Sequence, residues 1–247
     1  MTDGPDLCFT FGDVVVVTGA GSGIGRSVAH IGARMGLHVA AWDRDAASVG
    51  RVAEEIVAAG GRASAMTVDV GVAADIESAM ERSATLGVVR HLVNNAGPPS
   101  SAALDFDEAV RLCVGSVRRV TEAWLAVAPA EQGSVVNTAS VAGNLVGSSP
   151  DWYPTAKAGI TGYTRHLATY RSDRIRANAV GPGMTDTPRL AGFASSELGQ
   201  AVVRRIPLRR MGTPDEMAHV ILFLLSPLAG YVNGAFVPVD GGWTVAQ

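Results

Sequence analysis

Four consecutive valines, Val14–Val17, run into Thr18-Gly19-Ala20-Gly21-Ser22-Gly23-Ile24-Gly25, where every second residue is glycine. A β-branched run of this kind reads as a strand, and the residues after the glycines carry helical periodicity. Glycine lets the backbone turn sharply between the two and be approached closely. A strand passed directly to a helix in this way opens a β-α-β unit, which obliges the next strand to return parallel through a right-handed crossover. The helix N-terminus beneath the glycines offers unpaired N–H groups that suit a pyrophosphate. A purely structural turn would look the same locally. The second strand pattern, however, ends in Asp43, 18 residues past Gly25, close to the ~20 at which an acid meets an adenosine ribose hydroxyl. Gly19, Ser22, Gly23, Ile24, Gly25 and Asp43 are therefore candidate cofactor residues. A carboxylate at Asp43 repels a 2′-phosphate and favours NAD over NADP. Arg44 opposes this, since arginine can clamp a phosphate, but the residue before Gly23 is Ser22 and not a cation.

The same alternation continues along the chain. Val14–Val17, Leu37–Trp42, Ala63–Val68, Val88–Val93, Ser134–Thr138, Ile175–Val180 and Ala235–Val239 read as strands. Ile24–Met35, Ala46–Ala59, Ala73–Leu86, Phe106–Val127, Trp152–Tyr170 and Asp215–Leu225 read as helices. This pattern predicts an α/β fold, a doubly wound parallel seven-stranded sheet with helices on both faces. No linker or repeat divides the 247 residues, so one domain is expected over 1–247.

Composition limits the class of function. With 47% hydrophobic residues the chain can form a large core, and a net charge of −3 with scattered arginines gives no nucleic-acid footprint. No apolar run reaches the ~18 residues of a membrane span. The first eleven residues hold Asp3 and Asp6 without a basic leader, and two cysteines, Cys8 and Cys113, suit a reducing compartment. A cytoplasmic protein is the expectation.

The basic residues carry a second signal: 19 are arginine and one, Lys157, is lysine. Arginine serves wherever a surface cation is wanted, but lysine is a compact point charge on a flexible stem. Lys157 lies four residues after Tyr153, one helical turn away on the same face. An ammonium there favours phenolate and draws the tyrosine toward general acid–base work. Taken alone, the pair reads equally well as a surviving surface lysine.

With these motifs in place the chain resembles a short-chain dehydrogenase/reductase of the single-domain, NAD(P)-dependent type, over nearly its whole length. The family's glycine motif falls on Thr18–Gly25, its adenine-side acid on Asp69-Val70, and its Asn-Asn-Ala-Gly motif on Asn94-Asn95-Ala96-Gly97. Its serine is Ser140, thirteen residues before Tyr153, and its Tyr-x-x-x-Lys pair is Tyr153 and Lys157. Pro182-Gly183 match the Pro-Gly motif, with Thr185 and Thr187 near the nicotinamide carboxamide, and Val239-Asp240-Gly241-Gly242 match the C-terminal signature. The resemblance implies a Rossmann-like fold and hydride transfer between NAD(H) and a ketone or secondary alcohol. It implies Tyr153 as general acid/base, Ser140 orienting the substrate oxygen, and Lys157 binding the nicotinamide ribose and lowering the tyrosine pKa. It adds Asp69, Val70, Asn95, Ala96, Gly97, Pro182, Gly183, Thr185 and Thr187 to the cofactor site, and a homotetramer through the fourth and fifth crossover helices.

One position departs from the pattern. Where many relatives place an asparagine supporting a water relay to the lysine, this chain has Cys113, a weak donor and acceptor, read here as a small, buried, inert residue. Substrate contacts are expected from Pro98, Asn144-Leu145-Val146, Trp152 and Leu190–Leu198, a mostly apolar set. Asp151 and Asp186 read as cap and turn residues or as partners of a cationic substituent. Small residues at Gly192, Ala194, Ser195, Ser196 and Gly199 make Pro188–Arg205 a candidate mobile lid. An NADPH-using biosynthetic ketoreductase and a weakly catalytic nucleotide-binding sensor or scaffold are the alternatives.

Overall fold

The computed structural model describes residues 7–193 and 195–246; Asp3, Asp6 and Ala194 lie outside the described residues. Seven strands, β1 (Val14–Thr18), β2 (His38–Asp43), β3 (Arg62–Thr67), β4 (His91–Asn94), β5 (Gly133–Thr138), β6 (Ile175–Pro182) and β7 (Phe236–Val239), form one parallel sheet in the order β3-β2-β1-β4-β5-β6-β7. The helices are α1 (Gly23–Arg34), α2 (Ala46–Ala58), α3 (Ala73–Ala84), α4 (Phe106–Val127), α5 (Trp152–Tyr170), α6 (Glu197–Arg205) and α7 (Pro214–Leu225).

The four valines explain the layering. All are fully buried; Val15 and Val17 pack with α1, α2 and α7, while Val14 and Val16 pack with α3, α4 and α5. Side chains alternate across a strand, so a strand covered on both faces needs an unbroken apolar run. Each buried valine contributes ~1.5–3 kcal/mol relative to exposure. The winding reverses between β1 and β4: β2 and β3 lie to one side of β1, β4 to β7 to the other. The crevice beyond the carboxyl ends of β1 and β4 is where ligands bind in such sheets.

Two segments differ from the sequence-based expectation. Val88–Arg90 is not strand: Val88 O accepts from both Val14 N and Arg90 N, and Arg90 forms an ion pair with the buried carboxylate of Asp13. The ladder with β1 therefore begins at His91. Within the expected lid, α6 is a nine-residue helix, capped by Ser196 Oγ on Gly199 N at 3.0 Å. It is short, and its apolar side chains are little buried, Leu198 being exposed, so it does not stand out from the small-residue run around it.

Polar side chains inside the sheet are satisfied in two places. Asn94 donates to Thr121 Oγ1 at 3.0 Å and to Asn137 Oδ1 at 2.9 Å, and Asn137 donates to Thr164 Oγ1 at 2.9 Å. This string crosses from α4 through β4 and β5 to α5 entirely in the interior. At the opposite, amino end of the strands, His91 Nδ1 lies 2.8 Å from Ser134 Oγ, which donates to Leu225 O at 2.8 Å. Ser134 uses its single hydrogen on that carbonyl, so His91 Nδ1 is the donor in their contact. Burial pushes the His91 pKa down to about 3, and Arg90 and Arg176 add to the effect.

Candidate active site

The residues singled out at the ends of β1, β2 and β4 gather beside the crevice between β1 and β4. Gly19 has φ +69°, and a Cβ on it would lie 2.9 Å from Asn95 Nδ2. A Cβ on Gly25 would lie 2.1 Å from Gly19 O, so only glycine lets α1 start this close to the turn. Gly21 N donates to Asp43 Oδ2 at 2.9 Å and Asp45 N to Oδ1 at 3.1 Å, which fixes the carboxylate at the end of β2 beside the glycine turn. Asp45, Asp105, Ser196 and Thr213 cap α2, α4, α6 and α7 with side-chain oxygens. Ser22 makes no such bond at α1. The first-turn N–H groups of α1 are thus left to an anion. Glycine cradle, uncapped helix start and fixed acid together fit a dinucleotide.

The second lip is built by β4. Thr18 Oγ1 accepts from Asn95 N and Ala96 N at 2.9 and 3.0 Å, and Asn95 Nδ2 donates to Thr18 O and Gly19 O at 3.2 and 3.3 Å. The Asn95 side chain therefore braces the glycine turn. Asp69 Oδ1 accepts from Gly71 N at 2.7 Å in a tight turn after β3, with Val70 packed beside the core. Gly183 follows β6 against Asp240: a Cβ there would meet Asp240 Cβ at 2.7 Å. Burial alone would raise the Asp240 carboxyl, but hydrogen bonds from Thr244 and from backbone N–H groups hold it below its ordinary value. Thr185 is buried, its Oγ1 donating to Gly183 O, and the methyl of Thr187 would touch a Cβ on Gly23 at 3.2 Å. Thr187 thus roofs the glycine turn.

Ser140 stands two residues beyond β5, and its Oγ accepts from Ala142 N at 3.1 Å, leaving its hydrogen available. On α5, Lys157 Nζ donates to Thr138 O at 3.0 Å and lies 5.8 Å from the Tyr153 ring centroid. Asn144 ties the two elements together, its amide donating to Ser140 O at 2.9 Å and to Lys157 O at 3.3 Å. Asn144 was expected only to border substrate; this bracing depends on a loop conformation that residue type does not reveal. Trp152, also expected at the substrate, is 1% exposed and packs with Ala109, Cys113 and Ala156 beneath Tyr153. Asp151 caps α5 on Trp152 N at 2.8 Å. Cys113 is buried in the same cluster; burial pushes its thiol up, against the pull of Lys157 and Arg189. The sequence reading passed over Arg189, whose Nη2 donates to Gly97 O at 2.6 Å across the crevice.

Comparison with known proteins bears on the family and the fold. The family model described as enoyl-(acyl carrier protein) reductase matches residues 19–244. A cyclohexanol dehydrogenase of Acinetobacter sp. (strain SE19) is 36% identical over 245 residues, covering 94% of each chain. The structure of a 7α-hydroxysteroid dehydrogenase complexed with NADH and 7-oxo glycochenodeoxycholic acid superposes with a TM-score of 0.87 at 29% identity, covering 94% of each chain. A short chain dehydrogenase from Burkholderia cenocepacia J2315 in complex with NADP gives 0.86 at 30% identity, covering 94% of this chain and 98% of that one.

Proposed function

The chain belongs to the short-chain dehydrogenase/reductase family, and we propose that it is an NAD-dependent dehydrogenase interconverting a secondary alcohol and a ketone, the whole chain forming one catalytic domain. A bound nicotinamide dinucleotide supplies the hydride acceptor or donor. Tyr153 gives its phenolic proton to the carbonyl oxygen in reduction and takes it from the alcohol in oxidation. Ser140, its lone pair engaged by Ala142 N, directs its hydrogen at that same oxygen and stabilises the charge developing there. Lys157 uses one N–H on Thr138 O and keeps two for ribose hydroxyls, while its charge beside the Tyr153 ring favours phenolate. Gly19, Ser22, Gly23, Ile24 and Gly25 receive the pyrophosphate. Asp69, Val70, Asn95, Ala96 and Gly97 border the adenine and ribose path, Asn95 acting by holding the turn. Pro182, Gly183, Thr185 and Thr187 line the nicotinamide end. The observation that carries the reading is the Asn144 amide, which locks the strand end bearing Ser140 to the helix bearing Tyr153 and Lys157.

NAD is preferred because Asp43 holds a fixed negative charge where a 2′-phosphate would sit. Arg44, exposed beside it, favours the NADPH-using alternative. The relatives of this chain include proteins bound to either cofactor. We further read the protein as a cytoplasmic homotetramer joined through α4 and α5; the exposed rings of His166 and Tyr170 on α5 suit an interface. Among the described residues no helix is long and apolar enough to cross a membrane. The test is turnover of a panel of ketones and secondary alcohols with NAD(H) and NADP(H), in wild type and in Tyr153→Phe. The expected result is NAD-linked turnover that falls by at least about 10²-fold in the variant. Undiminished turnover in Tyr153→Phe would remove the tyrosine from the chemistry.

A further inference from the structure

Arg189 ties the segment after β6 to the loop after β4 by a side-chain bond. It sits in a short 3-10 turn, Pro188–Leu190, directly after Thr187, which rests on the glycine turn. Its Nη2 reaches Gly97 O at 2.6 Å, a carbonyl 92 residues earlier in the chain. A guanidinium carries five N–H donors in a rigid fork, and this bond engages one edge only.

The rest of the fork has no carboxylate of its own. Among the described residues the ion pairs are Arg26 and His30 with Glu55, Arg90 with Asp13, and Arg210 with Glu216; Arg189 is in none. Asp151, at the start of α5, uses its carboxylate to cap Trp152 N. The cation nevertheless lies close to the chemistry: its charge, with that of Lys157, acts on Cys113, which packs with Tyr153. Lys157 is committed to Thr138 O on the inner side. Arg189 is therefore an exposed cation pinned on Gly97 O, in no ion pair among the described residues, and close enough to the α4–α5 side of the crevice for its charge to act on Cys113. A neutral apolar alcohol would leave this charge without a counterpart, whereas a pre-oriented guanidinium binds a carboxylate at little ordering cost.

We propose that Arg189 is a specificity-determining residue that receives an anionic substituent of the substrate, so that the alcohol or ketone handled at Tyr153 is a hydroxy acid or keto acid. The inference rests on the dehydrogenase reading above and narrows it to substrates with a carboxylate several bonds from the reacting carbon.

The experiment compares three secondary alcohols with NAD: 4-hydroxypentanoate, its isosteric amide 4-hydroxypentanamide, and 2-pentanol, in wild type and in Arg189→Gln. Glutamine keeps a polar side chain but loses the charge and, being two bonds shorter than Nη2, also the bond to Gly97 O; the acid-to-amide ratio reads the charge separately from any shift of the turn. The expected wild-type preference for acid over amide in kcat/KM is roughly tenfold, the size of one charge-assisted hydrogen bond at a partly exposed site. In Arg189→Gln that ratio should collapse to about one through a rise in KM for the acid. Equal use of acid and amide by the wild type overturns the proposal, as does a ratio that survives in the variant. A variant that weakens NADH binding while keeping the ratio assigns the guanidinium to the cofactor and overturns it too. Absence of turnover with all three alcohols and their ketones defeats the dehydrogenase reading itself, and the proposal falls with it.

Discussion

Acidification should weaken the fold through His91. The folded-state pKa lies at about 3 against an ordinary 6.5, so the unfolded chain takes up a proton that the native chain refuses. The sign follows: this contribution to stability is complete above pH 6.5 and is lost as pH falls from there toward 3. Each pH unit within that window removes about 1.4 kcal/mol, so the fall from near pH 6.5 to about pH 4.5 should cost about 2 kcal/mol. Carboxylates held below their ordinary pKa, among them Asp45, Glu55, Glu216 and Asp240, lose stability over the acid range as well. The effect of His91 is isolated by comparison with His91→Asn, whose amide can reach Ser134 Oγ from nearly the position of Nδ1 and does not titrate. Urea unfolding followed by the fluorescence of the buried Trp42, Trp124 and Trp152 gives the free energy at each pH. The variant starts lower, because a smaller side chain leaves a void, but its slope between about pH 6.5 and pH 4.5 should be shallower by about 1 kcal/mol per unit. Parallel slopes would refute the reasoning and place the acid sensitivity in the carboxylates alone. The site lies at the amino end of the strands, so the pH profile of kcat should not follow this change.

Two further predictions concern the crevice itself. Gly25→Ala places a methyl 2.1 Å from Gly19 O and 2.7 Å from Asn95 Nδ2; the turn must shift, and NADH affinity measured by fluorescence titration should drop at least about tenfold while the protein loses ~1–3 kcal/mol of stability. Unchanged affinity would mean the turn does not hold the pyrophosphate. Lys157→Arg keeps the charge but replaces a point donor on Thr138 O with a planar fork; kcat should fall by about 10²-fold, and a rate within twofold of wild type would show that any cation serves there.

That seven parallel strands would lie between two helical layers was legible in the sequence, because unbroken valine and alanine runs have no other stable place; their order in the sheet came only with the structure. The glycine turn was legible for a steric reason, made concrete by the Gly25–Gly19 approach. What the sequence could not convey was the use made of neutral polar side chains. Asn144 looks like a substrate-loop residue until its amide is found on Ser140 O and Lys157 O. Trp152 looks like an aromatic wall until helix rotation buries it beneath Tyr153. Arg189 was one of 19 arginines, and only its position opposite Gly97 sets it apart. In each case the role comes from contacts between residues distant in sequence or from the rotation of a helix, and neither has a local pattern.

The string Thr121–Asn94–Asn137–Thr164 has a consequence for how this chain can vary. Asn94 and Asn137 are directly opposed in the β4–β5 register, and each hydrogen-bonds both the other and a helix threonine. Replacing any one by an apolar residue strands its neighbour in the interior, at ~1–3 kcal/mol. Replacing all of them with well-packed apolar groups could be nearly neutral, but no path of single substitutions reaches that state without passing through a stranded intermediate. The four positions are therefore trapped together, and a slip of β5 against β4 by one residue is excluded by the same trap. Since β5 leads into Ser140 and β4 into Gly97, drift in sequence elsewhere can proceed without moving Ser140 away from the β4 lip of the crevice.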